Sequence, residues 1–161
     1  MTMNSITRTA LSAHEKQLHI LLVDDDEFTC ELLTSMLNEL AVDSVTVALS
    51  GQHGLDIYSA AELKPNLLLC DLCMPGMDGF QFLSKMASKS YKGDVAIMSS
   101  YDTQAPVSGE WALGNYKASA LHLAEKLARV QGLKVRGTLE KPISLAQLGD
   151  LLSLIRRDRS S

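Results

Sequence analysis

Five polar side chains that could do chemistry follow short apolar runs of this sequence. HILLV is followed by Asp24 and Asp25, LLLC by Asp71, VAIM by Ser99, and Lys141 comes shortly after LKVRGTL. Carboxylates about 4 Å apart near a protein surface repel each other by roughly 4 kcal/mol, and a hard cation such as Mg²⁺ relieves that repulsion. A lysine and a hydroxyl both suit phosphate oxygens. Together these groups have the chemistry of an aspartyl-phosphate site.

The elements that must position these residues alternate along the chain. Five apolar runs have the length of buried strands: LHILLV (18–23), VTVAL (45–49), LLLC (67–70), VAIM (95–98) and LKVRGTL (133–139). The other stretches repeat apolar residues at helical spacing, for example Phe28, Leu32, Leu33, Met36, Leu37 and Leu40, or Ala120, Leu123, Ala124 and Leu127. Five strands alternating with five helices predict an α/β fold, a doubly wound parallel sheet covered on both faces.

The carboxyl ends of the predicted strands lie along one edge of the sheet, where open α/β folds bind their ligands. We expect the common strand order 2-1-3-4-5, which makes the first and third strands neighbours. This order brings Asp24 and Asp25 next to Asp71, and the two following strands add Ser99 and Lys141. The sequence therefore predicts three acids, a hydroxyl and a lysine in one crevice.

The composition is that of a single globular domain. The chain has 161 residues, of which 46% are hydrophobic and 21% charged, enough to bury a sizeable core. Its net charge of −4 argues against a nucleic-acid partner bound by bulk electrostatics. No apolar stretch approaches the ~18 residues of a membrane helix, and residues 1–17 lack the apolar core of a secretory signal. We therefore expect a cytoplasmic protein with a flexible N-terminal tail and no membrane partner.

The cysteines and acids also have simpler structural explanations. Cys30, Cys70 and Cys73 are an odd number and do not form a disulfide framework. The C-x-x-C of Cys70 and Cys73 lacks the second ligand pair of a zinc site, and a redox pair usually lies at a helix N-terminus. Asp71 alone could be a turn residue, and Asp26 is assigned to the cap of the first helix. The turn and redox alternatives stay open at this point.

Four segments of the chain resemble the signature segments of the response-regulator receiver domain. They are HILLVDDDE, LLLCDLCMPGMDGFQFL, AIMSSYD and LEKPIS, in this order and at strand ends. The resemblance covers about residues 18–156 and implies a flavodoxin-like version of the predicted fold. Residues 1–17 and 157–161 are then an N-terminal and a C-terminal tail.

The resemblance implies a role for each polar residue of the crevice. Asp71 is the expected phosphoacceptor, and Asp24 and Asp25 are the expected acid pair that binds Mg²⁺ together with Asp71. The backbone carbonyl of Cys73 is a further expected ligand. Lys141 is expected to contact the phosphoryl group, through a loop whose Lys141–Pro142 bond is cis.

Four positions of the resemblance concern the output and the lifetime of the signal. Ser99 matches the family's switch hydroxyl, but its usual aromatic partner, three residues before the lysine, is Thr138 here. We expect the signal to pass through backbone movement after Ser99 and not through a ring rotation. Cys73 and Tyr101 match positions that tune the access of water to the phosphoryl group, and the bulk of Tyr101 predicts a long-lived phosphorylated state.

The stretch from Ser99 to Lys141 is longer than receiver domains usually have. We expect an insert at about residues 102–117, between the fourth strand and the fourth helix. The following segment, ASALHLAEKLARVQGLKVRGTLEKP, resembles receivers that precede EAL-type cyclic-di-GMP phosphodiesterase domains. A homodimer face between the fourth helix and the fifth strand is a further expectation, although the insert could block it.

The resemblance implies a phosphorylation-dependent switch and not an enzyme that turns over an external substrate. Its partners would be a histidine kinase or phosphotransfer protein and a downstream effector, with an attached or separate EAL domain as one candidate. The alternative is a phosphorylation-independent interaction module that docks through the insert. A phosphatase of the HAD type is a third reading, but that chemistry needs a second acid two residues after Asp71, where this chain has Cys73.

Overall fold

The alternation of strands and helices predicted from the sequence is present in the computed structural model. The model describes residues 17–99 and 110–160, with the backbone alone for residues 110–119. Its elements in chain order are β1 (His19–Val23), α1 (Glu27–Glu39), β2 (Ser44–Ala48), α2 (Gly51–Ala60), β3 (Leu67–Asp71), α3 (Gly79–Ser88), β4 (Asp94–Ser99), α4 (Glu110–Val130), β5 (Lys134–Glu140) and α5 (Leu145–Ser160).

The strands form one parallel sheet in the order β2-β1-β3-β4-β5, which confirms the predicted order. β1 and β3 are neighbours, with Val23 opposite Cys70 at their carboxyl ends. The pairing of β4 with β5 contains one irregularity, because Val95 pairs with Val135 whereas Ala96 pairs with Gly137. The central strands therefore deliver the residues that follow them to a single edge.

The sheet has an apolar core on each face. Successive residues of β3 point to opposite faces, so that Leu67 and Leu69 join the core with α1 and α5, while Leu68 and Cys70 join the core with α2, α3 and α4. Every residue of β3 is buried. An uninterrupted apolar strand is what a parallel sheet covered on both sides requires.

Two helices bury only part of the apolar residues that recur at helical spacing in the sequence. On α1, Phe28 is 72% exposed. On α4, Leu121, Ala124 and Ala128 are buried, whereas Leu123 is 52% exposed. These helices carry more apolar residues than one face can place against the sheet, and the position of the helix on the sheet decides which of them is covered.

The last helix is longer than predicted. The predicted C-terminal tail starts at residue 157, but α5 continues to Ser160. Arg159 explains the difference, because its guanidinium binds the carboxylate of Asp94 at 3.0 Å and the backbone oxygen of Asn66 at 2.9 Å. These contacts order the final turn against the sheet.

The predicted insert is in part helical. The backbone of residues 110–117 belongs to α4, while residues 102–109 and the predicted tail at 1–16 lie outside the described residues. Within the described ranges, no helix is long and apolar enough to cross a membrane.

Candidate functional site

Three carboxylates meet at the carboxyl edge of the sheet. Asp24 and Asp25 directly follow β1, and Asp71 is the last residue of the neighbouring β3. One carboxylate oxygen from each residue lies within 4.8 Å of the other two. Asp24 and Asp71 are buried, at 0% and 1% exposure, whereas Asp25 is exposed. The structure thus brings together acids from two strands that are distant in sequence.

Lys141 places its ammonium group between two of these acids. Its Nζ atom contacts the carboxylate of Asp24 and lies 3.4 Å from Oδ2 of Asp71. Burial lowers the pKa of Lys141, but the contacts with Asp24 and Asp71 outweigh this effect and the pKa is raised overall. The lysine is therefore a fixed positive charge in the crevice. The Lys141–Pro142 bond is cis, as predicted.

Asp24 is held by the first turn of α1. Its Oδ1 accepts a hydrogen bond from the backbone N–H of Asp26 at 3.0 Å, and its backbone oxygen accepts one from Cys30 Sγ at 3.4 Å. Burial raises the pKa of the Cys30 thiol to about 11, so the thiol keeps the proton that it donates. Asp26 occupies the N-cap position as predicted, although its carboxylate accepts from the Thr29 hydroxyl and not from the helix backbone.

Asp71 has one buried carboxylate oxygen without a partner among the residues that the structure describes. Its Oδ1 atom is buried and makes no hydrogen bond to any residue in the described ranges. Burial raises the pKa of Asp71 to about 6; Lys141 lowers it and Asp24 raises it. An unpartnered buried carboxylate oxygen is costly, and it points to a group that binds here.

The loop after Asp71 leaves no room for a side chain at Gly79. A Cβ atom at Gly79 would lie 2.4 Å from the backbone oxygen of Asp71. The backbone N–H of Gly79 donates to the oxygen of Leu72 at 3.0 Å. A capping box between Asp78 and Gln81 then starts α3. This close approach ties the start of α3 to the strand end that carries Asp71.

The remaining predicted site residues lie around this centre. The backbone oxygen of Ser99, at the end of β4, accepts a hydrogen bond from the backbone N–H of Lys141 at 2.9 Å. Cys73 and Thr138 are both exposed, and Thr138 pairs with Ile97 in the sheet. Tyr101 lies outside the described residues, so its predicted effect on lifetime stays a prediction.

The two cysteines beside Asp71 differ in accessibility. Cys70 is fully buried in the core and Cys73 is exposed. Burial raises the pKa of Cys70 well above the usual range of a thiol, and its Sγ donates to the backbone oxygen of Asp71 at 3.3 Å. A buried protonated thiol is inert, which argues against a redox pair.

The donor set of this edge fits a hard divalent cation such as Mg²⁺. Three carboxylates supply the oxygen ligands that Mg²⁺ prefers, and the unpartnered Oδ1 of Asp71 lies among them. The exposed position of Asp25 leaves the cluster open to water, which Mg²⁺ usually retains in its coordination shell. The backbone carbonyl of Cys73 stays a predicted ligand.

Sequence reasoning missed two residues that shape the site. Gly79 was not singled out. A glycine at the start of the helix that follows a strand-end acid is a signal of close backbone approach. Cys30 was noted only for its part in the cysteine count. Its position in the first turn of α1, facing the strand end, could be inferred only from the fold.

Comparison with known proteins gives the family. The model of the response regulator receiver domain matches residues 20–114, more than half of the chain. The two-component response regulator ARR17 of Arabidopsis thaliana is 28% identical over 136 residues, which cover 78% of this chain and 88% of ARR17. The DNA-binding response regulator MtrA of Mycolicibacterium smegmatis is 29% identical over 133 residues, covering 82% of this chain but 57% of MtrA.

Solved structures agree with this assignment. A response regulator from Colwellia psychrerythraea superposes with a TM-score of 0.64 and 26% identity, over 88% of this chain and 98% of that one. The CheX–CheY–BeF3–Mg²⁺ complex from Borrelia burgdorferi gives a TM-score of 0.66 at 22% identity, over 86% and 88% of the two chains, a likeness of fold alone. The chain therefore belongs to the response regulator receiver domain family of two-component systems.

Proposed function

We propose that this chain is a phosphorylation-dependent signalling switch and that Asp71 accepts the phosphoryl group. The observation that carries the proposal is the buried, unpartnered Oδ1 of Asp71, set among Asp24, Asp25 and Lys141. A carboxylate with a pKa of about 6 is largely ionised at neutral pH, as a nucleophile must be.

The reaction is a displacement at phosphorus. A carboxylate oxygen of Asp71 forms the new P–O bond while the P–N bond of a phosphohistidine breaks, and the electron pair of that bond stays on the departing imidazole. Bound Mg²⁺, held by Asp24, Asp25, Asp71 and the carbonyl of Cys73, would neutralise charge on the phosphoryl oxygens. Lys141 then turns its ammonium from the carboxylates to a phosphoryl oxygen.

Ser99 is the residue that we expect to sense the product. Its hydroxyl donates a hydrogen bond to a phosphoryl oxygen. This hydrogen bond displaces the carboxyl end of β4 toward the phosphoryl group. The usual aromatic partner is replaced by the exposed Thr138, so the signal passes through backbone movement after Ser99 and not through a ring rotation. Phosphorylated and free structures that differed only at the side chains of residues 134–140 would contradict this route.

The phosphodonor is expected to be a histidine kinase or phosphotransfer protein of the cytoplasm. An apolar cavity of about 320 Å³ next to the site is lined in part by Phe28, Leu32, Lys141 and Pro142. Phe28 and Leu32 are 72% and 43% exposed. Because the donor histidine must reach Asp71, this exposed apolar surface beside Lys141 is where we expect the donor protein to pack.

The output of the switch is expected to pass to a second domain or protein. The likeness of residues 118–142 to receivers that precede EAL domains supports control of cyclic-di-GMP turnover through an attached or separate EAL domain. The exposed Leu123 and Leu127 of α4 support a protein contact on this helix, in a homodimer or with an effector. A phosphorylation-independent interaction module is the alternative, and it would need none of the site chemistry.

Intact mass spectrometry after incubation with acetyl phosphate and Mg²⁺ tests the switch. We expect one phosphoryl mass gain in the wild type and none in Asp71→Ala. Asp78→Asn is the matched control, because it changes a nearby, partly exposed acid to a residue that can still cap α3, and it should retain the mass gain. No gain in the wild type, under conditions that label another receiver domain, would favour the interaction module.

A further inference from the structure

A second, partly buried charge cluster lies at the amino edge of the sheet, opposite the site. Asp94 is 5% exposed, and its Oδ2 binds Nη2 of Arg159 at 3.0 Å. Its Oδ1 lies 3.9 Å from Nη1 of Arg136, whose Nη2 pairs in turn with Asp158. We call Asp94, Arg136, Asp158 and Arg159 the base cluster. It joins β4 and β5 to the last turn of α5.

The last turn of α5 depends on this cluster because it has no apolar anchor. Ile155 is the final buried apolar residue of the helix, and residues 156–160 are exposed or partly exposed. Two further contacts to the rest of the protein are also polar: Arg156 donates to the backbone oxygen of Leu40 and Arg159 donates to that of Asn66. A segment held by ionic and hydrogen-bonding contacts alone can open locally without loss of the core.

The base cluster includes residues of β4 and β5, the two strands that lead to Ser99 and Lys141 of the site. β4 begins at Asp94 and ends at Ser99, while β5 contains Arg136 and ends directly before Lys141. Residues 141–144 alone connect β5 to α5. A movement of Lys141 therefore acts on both elements that the pair between Arg136 and Asp158 holds together.

We propose that the base cluster is a latch, that phosphorylation of Asp71 weakens it, and that the released turn at residues 156–160 is an output segment. The coupling rests on the proposed function. When Lys141 leaves the carboxylates for a phosphoryl oxygen, β5 shifts against α5 and the pair of Arg136 with Asp158 lengthens. Within the cluster only Asp94 is buried, so loss of its contact with Arg159 would be the costly step, whereas the pair of Arg136 with the half-exposed Asp158 contributes less.

Hydrogen exchange of the full chain, read by mass spectrometry, tests the latch without any phosphorylation. In Arg159→Gln the amides of residues 156–160 should exchange about tenfold faster, while those of residues 148–155 keep their protection. Asp158→Asn, at a half-exposed acid, should have a smaller effect in the same direction. Asp150→Asn changes an exposed acid of the same helix and should have none. Unchanged exchange in Arg159→Gln, or an equal effect in Asp150→Asn, would overturn the latch.

The same measurement on wild type treated with acetyl phosphate and Mg²⁺ tests the coupling, with the phosphoryl occupancy read from the intact mass of the same sample. Exchange of residues 156–160 should rise in the phosphorylated wild type, and Arg159→Gln should show no further rise. A phosphoryl mass gain with unchanged exchange would overturn the coupling and leave the proposed function intact. No mass gain would overturn the proposed function and the coupling together, and the variants would still decide the latch.

Discussion

The Nζ atom of Lys141 lies 3.4 Å from Oδ2 of Asp71 and also contacts the carboxylate of Asp24. The side chain of Lys141 is only 14% exposed, so its charge is poorly screened by water. One ammonium group therefore compensates part of the charge of two buried acids. Loss of this cation should leave uncompensated buried charge, which is far more costly than the loss of a surface ion pair.

Lys141→Gln should therefore destabilise the protein without metal. At pH 8 in EDTA we expect a loss of about 3 kcal/mol in the free energy of unfolding, and a smaller loss at pH 5, where Asp71 takes up a proton. Urea unfolding followed by circular dichroism measures both values. Lys134→Gln, at an exposed lysine of β5, is the control and should change stability by less than about 0.5 kcal/mol. Equal losses in the two variants would show that the ammonium of Lys141 stabilises the fold no more than that of an exposed lysine.

The pKa of Asp71 gives stability a defined pH dependence. Because burial raises this pKa from 3.8 to about 6, the folded state holds its proton more tightly than the unfolded state. The stability from that proton is fully present below about pH 4 and is lost as the pH rises through about 6. Two pKa units correspond to an upper value of about 3 kcal/mol.

Asp71→Asn isolates this contribution. In EDTA the variant should gain stability relative to the wild type between pH 4 and pH 7, because it has no carboxylate to ionise in the buried site. Thermal unfolding at several pH values measures the difference, and titrating groups outside the site cancel between the two proteins. Parallel stability curves for wild type and variant would contradict the raised pKa.

Much of the fold and of the site could be predicted because both follow from local patterns. Apolar runs separated by helical spacing determine a parallel sheet, and polar residues at the ends of the runs must then meet at one edge. The covered face of α1, where Phe28 is exposed, could not be predicted, because tertiary packing chooses among several apolar stripes. Asp94 and Arg159 were missed for the same reason, since a buried ion pair between distant segments leaves no periodic signal.

Gly79 should be intolerant of any side chain. The Cβ of Gly79→Ala would lie 2.4 Å from the backbone oxygen of Asp71 and 2.7 Å from Cα of Leu72, and backbone atoms cannot rotate away. We expect a loss of about 3 kcal/mol in urea unfolding, together with weaker labelling by acetyl phosphate. In Gly149→Ala, within α5, the nearest contact is an ordinary 3.4 Å, so that variant should gain about 0.5–1 kcal/mol. A gain in both variants would refute the close approach at Gly79.

A substitution at Phe28 can distinguish the docking of a donor protein from the phosphorylation chemistry at Asp71. Its side chain is 72% exposed beside Lys141, so Phe28→Asp should change stability by less than about 0.5 kcal/mol. Labelling by acetyl phosphate, which needs no docking surface, should be unchanged. Transfer from a phosphorylated histidine kinase that labels the wild type should slow by about tenfold or more, since an exposed aromatic side chain beside a site is a typical binding anchor.

The matched control for Phe28→Asp is Val130→Asp, which introduces the same charge at an apolar residue of α4 that is 84% exposed. Rapid-quench transfer kinetics compare the two variants at equal concentrations of kinase. Equal slowing in both would mean that added negative charge, and not the surface around Phe28, impairs transfer. Unchanged transfer in Phe28→Asp would mean that the donor approaches Asp71 from another side. If the donor covered position 28, the introduced carboxylate would be buried without a partner, which is costly.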